Sequence, residues 1–204
     1  MVLHLGLDRP SPSPSPANKA ERVLIWGASS AFGALAVQLA SQAGYTVVGV
    51  ASGRNAELAK SLGAAYFVDR TSASLIPDTV ALGPYKTVLA AADSAGDQIK
   101  LGEILAAQGG GHFLSTMGVR PGVELPPGVT GTFSQFIDDY LDPKHSEFTE
   151  WVWWNYLEDA FVNNWLKPLP IEVKGGLSQV QAAWDLLREG QVSGRRLVIQ
   201  VDSD

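Results

Sequence analysis

From Arg22 onward the apolar residues fall into two alternating rhythms. Val23-Leu24-Ile25-Trp26 is an unbroken apolar run, the pattern of a strand covered on both faces in a parallel sheet. Phe32, Leu35, Ala36, Leu39, Ala40 and Ala43 then recur at three- and four-residue intervals, one stripe of a helix that Gly44 ends. The alternation repeats: a strand over Thr46 to Ala51, a helix from Asn55 to Leu62 stopped by Gly63, and a short strand at Tyr66-Phe67-Val68. A strand over Thr87 to Ala91, a helix from about Gly96 to Gln108 and a strand over Gly111 to Ser115 follow. Strand, helix, strand throughout, with right-handed crossovers, predicts an α/β fold with a doubly wound parallel sheet.

Beyond Met117 the rhythm changes. Pro121, Pro126 and Pro127 break the chain before Val129 to Phe136, where Thr130, Thr132 and Phe133 suit a strand at the sheet edge. A helix is expected from about Ser146 to Trp165, with Trp153, Trp154, Leu157, Ala160, Phe161 and Trp165 on its apolar stripe. Phe148, Trp151, Val152 and Tyr156 lie off that stripe, and a helix apolar nearly all round is buried on two sides. Leu169 to Val173, a helix carrying Leu177, Val180, Trp184 and Leu187, and Arg196 to Val201 form a C-terminal strand-helix-strand extension. Before Arg22, Ser11-Pro12-Ser13-Pro14-Ser15-Pro16 has the composition of an extended linker. The expected organisation is a linker over 1–20, a doubly wound α/β domain over 21–166 and the extension over 167–204.

Composition narrows the partners. With 204 residues, 46% hydrophobic and 18% charged, the chain buries roughly 70% of its unfolded surface, which excludes disorder for most of it. Fifteen Lys and Arg against 21 Asp and Glu leave a net charge of −6. That balance argues against nucleic acid or an anionic membrane as the main partner and favours a small-molecule ligand. Zero cysteines exclude disulfides and thiolate chemistry. Neither a secretory leader nor a membrane-spanning run is present, so a soluble cytoplasmic protein is expected.

The candidate chemistry sits at the first turn, Ile25-Trp26-Gly27-Ala28-Ser29-Ser30-Ala31-Phe32-Gly33. A pyrophosphate needs backbone N–H groups, a bare backbone to approach and the positive end of a helix beneath it. Gly27 opens the turn, Gly33 lets helix and strand pack closely, and Ser29 and Ser30 add hydroxyls. Of the G-x-G-x-x-G fingerprint only the third glycine, Gly33, is present, since Ala28 and Ser30 occupy the first two positions. A serine-capped turn without a ligand has the same local sequence. After the second strand, the acid that would hold a ribose 2′-hydroxyl is replaced by Ser52-Gly53-Arg54-Asn55. A hydroxyl and a guanidinium suit a 2′-phosphate, favouring NADP(H), while a solvated loop charge is the alternative for Arg54. Arg70 is a second cationic candidate, and Asp93 and Ser115, at the carboxyl ends of two strands, are candidates for ribose or nicotinamide contact.

These residues carry a resemblance. Val23 to Gly33, Gln38-Leu39-Ala40, Ala43-Gly44-Tyr45, Leu62-Gly63-Ala64, Gly175-Gly176-Leu177 and Val192 to Val198 resemble the medium-chain dehydrogenase/reductase superfamily. Within it they are most similar to the zinc-free branch of fungal trans-acting enoyl reductases and quinone-oxidoreductase-like proteins. The resemblance covers about Leu5 to Val201 and implies a Rossmann-type domain, an NADP(H) cofactor, a polyketide intermediate as substrate and a homodimer. It also implies a GroES-like catalytic domain ahead of Leu5, absent from this sequence, onto which the stretch from about Pro168 to Val201 folds. Two other functions keep the fold: a redox-independent isomerase or cyclase for an apolar polyketide-like molecule, and a non-catalytic NADPH- or partner-binding module. No residue is assigned to catalysis and no metal is expected. His4 reads as part of a frayed start and His112 as structural. His145 lies near Asp138, Asp139 and Asp142, where either a proton relay or an exposed acidic loop explains the cluster.

Overall fold

The computed structural model describes residues 1–134 and 136–201, with the backbone alone at residues 136 and 137. Its main sheet consists of β1 (Arg22–Trp26), β2 (Thr46–Ala51), β3 (Tyr66–Asp69), β4 (Thr87–Ala90), β5 (Gly111–Ser115) and β6 (Val129–Phe133). They are parallel and ordered β3-β2-β1-β4-β5-β6, the Rossmann-type doubly wound order. Chain order reverses between β1 and β4, so a crevice opens there at the carboxyl ends of the strands.

Period-two alternation within β1 divides the core. Val23 and Ile25 face α2 (Ala31–Gln42), meeting Ala36, Val37 and Ala40, whose small side chains let the helix lie close to the sheet. Leu24 and Trp26 face the other way, toward Leu101, Ile104 and Leu105 of α5 (Ala95–Ala107). Both faces are covered, which is why β1 is apolar at successive positions. Ser94 caps α5 with a reciprocal box: its hydroxyl accepts from Asp97 N, and the Asp97 carboxylate accepts from Ser94 N at 2.9 Å. α3 (Ala56–Ser61) follows β2, and the sheet also carries α4 (Leu75–Ala81). The sequence pattern passes over α4, because it is short and holds Pro77, which a helix tolerates in its first turn.

Three expectations are corrected. The 1–20 segment is docked: α1 (Val2–Leu5) precedes a buried Leu7, and a 3₁₀ turn covers Pro16–Ala20. Asn18 fastens this strap, its amide donating to Asp8 Oδ2 at 2.8 Å and to the Ala43 carbonyl at 2.7 Å. The edge strand stops at Phe133 and a short helix, α6 (Phe136–Leu141), begins; Gln135, part of the expected strand, lies outside the described residues.

The third correction concerns the tryptophan-rich helix, which contains α7 (Ser146–Glu150), a π-helical stretch (Trp151–Tyr156) and α8 (Leu157–Val162). Leu157 N–H bonds the Val152 carbonyl, five residues back, and the wider turn shifts the inward face. Trp153, Trp154 and Phe161, expected inside, are exposed, with Trp154 74% accessible. Tyr156 is buried instead, and Trp151 packs beside it.

The chain closes with β7 (Ile171–Gly175), α9 (Val180–Arg188) and β8 (Arg196–Ile199), a two-stranded parallel unit. Val180, Trp184 and Leu187 on α9 are exposed.

The tightest contact in this frame yields a test. A Cβ built on Gly33 lies 2.1 Å from the Gly27 carbonyl oxygen, a backbone atom that cannot move aside. Gly33→Ala is expected to cost about 3 kcal/mol or more through overpacking, whereas Ser30→Ala, which removes only the cap of α2, costs about 1 kcal/mol. Urea unfolding of both variants checks the ranking; equal losses contradict it.

Candidate functional site at the sheet switch point

The turn from β1 into α2 is built from backbone. Gly27 takes φ +78°, open to a residue without a Cβ, and a side chain there would meet Ala92 N at 2.8 Å across the switch point. Gly27 N donates to the Val50 carbonyl at 2.8 Å and Ser30 N to the Gly27 carbonyl at 2.9 Å, curling the chain tightly. A helix start leaves four backbone donors without intrahelical partners; the Ser30 hydroxyl takes one, from Gly33 N at 3.0 Å. Ala31 and Phe32 form the first turn above this cap. The result is a bare, donor-rich end of a helix with partial positive charge.

The second loop is tied to the first. Asn55 donates to the Ser29 hydroxyl at 3.0 Å and to the Ser193 hydroxyl at 2.7 Å, so the turn, the β2 loop and a C-terminal loop share one amide. Gly194 is needed at this closure, since a Cβ would lie 2.5 Å from Asn55 Oδ1. Ser52 is half-buried and Arg54 exposed. Sequence reasoning missed Asp69, at the end of β3. Its Oδ1 accepts from Gly53 N at 3.0 Å, Thr71 N at 2.9 Å and the Thr71 hydroxyl at 2.9 Å, and the bonds from Thr71 hold its carboxyl below the usual carboxylate range. Asp69 therefore fixes the Ser52-Gly53-Arg54 loop. A signal existed in its place at a strand end followed by Arg70 and Thr71. Arg70 faces Asp97 of α5, with 3.9 Å between Nη1 and Oδ2.

Asp93 and Ser115 are joined in one buried network. Ser115 is fully buried, its hydroxyl 3.2 and 3.1 Å from the two Asp93 oxygens, and Met117 N donates to that hydroxyl. Asp93 also accepts from Gln98, which reaches the Gly118 carbonyl at 2.8 Å and takes Arg120 N at 2.8 Å. Buried polar groups are satisfied by one another here, so these two side chains brace the loops after β4 and β5 from beneath. The same network holds the ends of β4 and β5 that border the crevice.

A second concavity lies along the outer face of α2, an apolar cavity of about 380 Å³ between the N-terminal segment and the tryptophan-rich helix. His4, expected to fray, is held at its rim by Asp139 Oδ2 at 2.5 Å and by the Ser134 hydroxyl. His145 Nδ1 stands 3.6 Å from the other Asp139 oxygen. His112 bonds Thr130 and Thr132 at 3.0 Å each, a structural role on the sheet edge. Among the described residues no group of three or more carboxylates and imidazoles is arranged to hold a metal ion.

Strand order, crossovers and the capped turn define an α/β domain of the Rossmann type, with its bare turn at the switch point. No protein-family model matches the chain. It is 35% identical to trans-enoyl reductase himH of Aspergillus japonicus over 98% of its own length and 58% of that protein's. A quinone-reductase-like chain of Bacillus thuringiensis superposes with a TM-score of 0.73 at 20% identity, over 98% of this chain and 59% of that one. CurA of Vibrio vulnificus, solved in complex with NADPH, superposes with a TM-score of 0.66 at 15% identity, over 98% and 61%. The chain belongs to the medium-chain dehydrogenase/reductase superfamily, and it spans little more than half the length of these relatives.

Tyr156, on the cavity wall, supplies a pH test. Its hydroxyl donates to Gln42 Oε1 at 2.7 Å, and burial pushes its pKa up to about 12. The folded state holds the neutral phenol, so the stability it contributes is complete below about pH 10, the ordinary phenol value, and falls as pH rises toward about 12. Tyr156→Phe is expected to be about 1 kcal/mol less stable at neutral pH and to lose less than the native chain between about pH 10 and 12. A stability gap that stays constant across that range, by urea unfolding, contradicts the assignment.

Proposed function

We propose that the chain is the NADP(H)-binding part of a reductase acting on an apolar enoyl-type intermediate of polyketide assembly. The observation that carries this reading is the junction of a serine-capped, side-chain-free turn with a loop that has Ser52 and Arg54 where a ribose-binding acid would stand, the two joined by the Ser29–Asn55 bond. The residues fit the group. Gly27 and Gly33 leave backbone that any Cβ would obstruct, which suits the close approach of a pyrophosphate. The helix start would face its negative charge, and the Arg54 fork would pair with a 2′-phosphate. A nicotinamide bound at the switch point supplies hydride chemistry to a neighbouring substrate. The protein's own part is to orient the dinucleotide: Asp69 holds the Arg54 loop, and the Asp93–Ser115–Gln98 network holds the loops flanking the crevice. The names of the fungal and bacterial relatives support this reading, as does the NADPH complex of CurA. Among the described residues no helix is long and apolar enough to cross a membrane.

Two measurements test the proposal. Titration by cofactor fluorescence is expected to show NADPH bound about tenfold or more tightly than NADH, with Arg54→Ala losing most of the difference, since a charge-assisted bond is at stake. Equal affinity for both, or none for either, overturns it. The proposal also includes a homodimer formed at the β6 edge, where Phe133 is 54% exposed and parallel pairing is complete on one side only. Light scattering is expected to give twice the chain mass at micromolar concentration, and Phe133→Lys to give the monomer. A monomeric native chain rejects this part alone.

A further inference from the structure

The cavity on the outer face of α2 has a ligand's dimensions and one-sided chemistry. At about 380 Å³ it is far larger than the voids that close-packed interiors leave, and it lies within the range of small-molecule sites. Leu35, Leu39, Val152, Tyr156 and Leu166 give it a mainly apolar lining, the kind of surface that takes apolar molecules.

Its aromatic wall is held from the outside rather than by filling the space. Arg9 sits 4.9 Å from the Trp151 ring centroid, and Tyr156 stacks on that ring at 5.2 Å and 27°. Arg9 also pairs with Glu147 at 3.1 Å, fixing the strap to α7. The π-helical turn makes the stack, because residues five apart lie side by side where the helix bonds five back. The wall is thus preorganised, which lowers the ordering cost of binding.

Polar groups gather at one end. Asp139 of α6 lines the rim, with one oxygen engaged by His4 and the other 3.6 Å from His145, beyond hydrogen-bond reach. A carboxylate accepts at two oxygens, so acceptor capacity remains beyond the bond from His4. Asp8 shares the lining, so an anionic ligand would meet two carboxylates against one ammonium, that of Met1, which Asp139 already faces.

We propose that this cavity binds a neutral, apolar small molecule carrying a hydroxyl group, its carbon skeleton against Trp151 and Tyr156 and its hydroxyl donating to Asp139. The site is independent of the nucleotide turn, so its test omits nucleotide. In the full chain, 1-decanol is expected to quench tryptophan fluorescence saturably, about tenfold more tightly than 2-decanone, which cannot donate, and more tightly than decanoate. Asp139→Asn is expected to erase most of the preference of decanol over decanone. Leu39→Trp, which fills the cavity, is expected to abolish binding of all three. Leu35 is half-exposed at the margin of α2, so Leu35→Trp obstructs the same space with little risk to folding. Absence of saturable binding by the native chain overturns the proposal, as does unchanged binding in Leu35→Trp or a ketone bound as tightly as the alcohol. Loss of NADPH binding elsewhere has no bearing on these outcomes.

Discussion

The contact on which the molecule depends is backbone against backbone, where α2 leaves β1. The Gly33 Cα approaches the Gly27 carbonyl so closely that no side chain fits between them, while Gly27 itself crowds Ala92 across the switch point. This closeness sets the height of α2 over the sheet, and the alanines of its inner face follow from that height. It also leaves the helix start uncovered by side chains. One steric requirement therefore produces both a tightly packed core and an exposed cluster of donors.

Most of the sheet was legible because strands buried on both faces read as short apolar runs closed by turn residues. The run Val23 to Trp26, the glycines after each helix and the six-residue strand at Thr46 to Ala51 required no tertiary information. The tryptophan-rich helix was misread for a definable reason. Assigning its faces assumes 3.6 residues per turn, and one wider turn at Trp151–Tyr156 turns Trp153, Trp154 and Phe161 outward while Leu157, Ala160 and Trp165 still pack inward. Aromatic residues all around a helix are consistent with either burial on two sides or a shifted register, and local sequence does not separate them. The N-terminal strap was hidden similarly: the composition of the Ser-Pro repeats says nothing of what the chain lies against, and its last proline opens a 3₁₀ turn.

The site was legible in its parts and not in its connections. Ser29, Asn55 and Ser193 meet at one amide although the last is 138 residues from the second, a distance over which pattern carries no information. Asp93 and Ser115 were rightly placed at strand ends facing the crevice. Their mutual hydrogen bonds turn them from surface into scaffold, because a buried carboxylate without partners would be costly, and the nearest donors are those of Ser115 and Gln98. Asp69 escaped notice because its function is fulfilled by backbone amides, which every sequence possesses.

The strap's bonds to the far side of the domain impose an order of assembly. His4 meets Asp139 and Arg9 meets Glu147 across sequence separations of 135 and 138 residues, and Asn18 joins Ala43 across only 25. Closing the longer loops has little to reward it until the intervening sheet exists, since the chain must first give up the freedom of everything between. The contacts of Leu7, Asp8 and Asn18 can thus form early, beside α2, while those of His4 and Arg9 wait for α6 and α7 to arrive. Partial opening runs the same path backwards. The aromatic chamber can come apart and reclose as a unit while the sheet and its glycine turn remain folded, giving the two halves of the molecule's surface separate local stabilities within one chain.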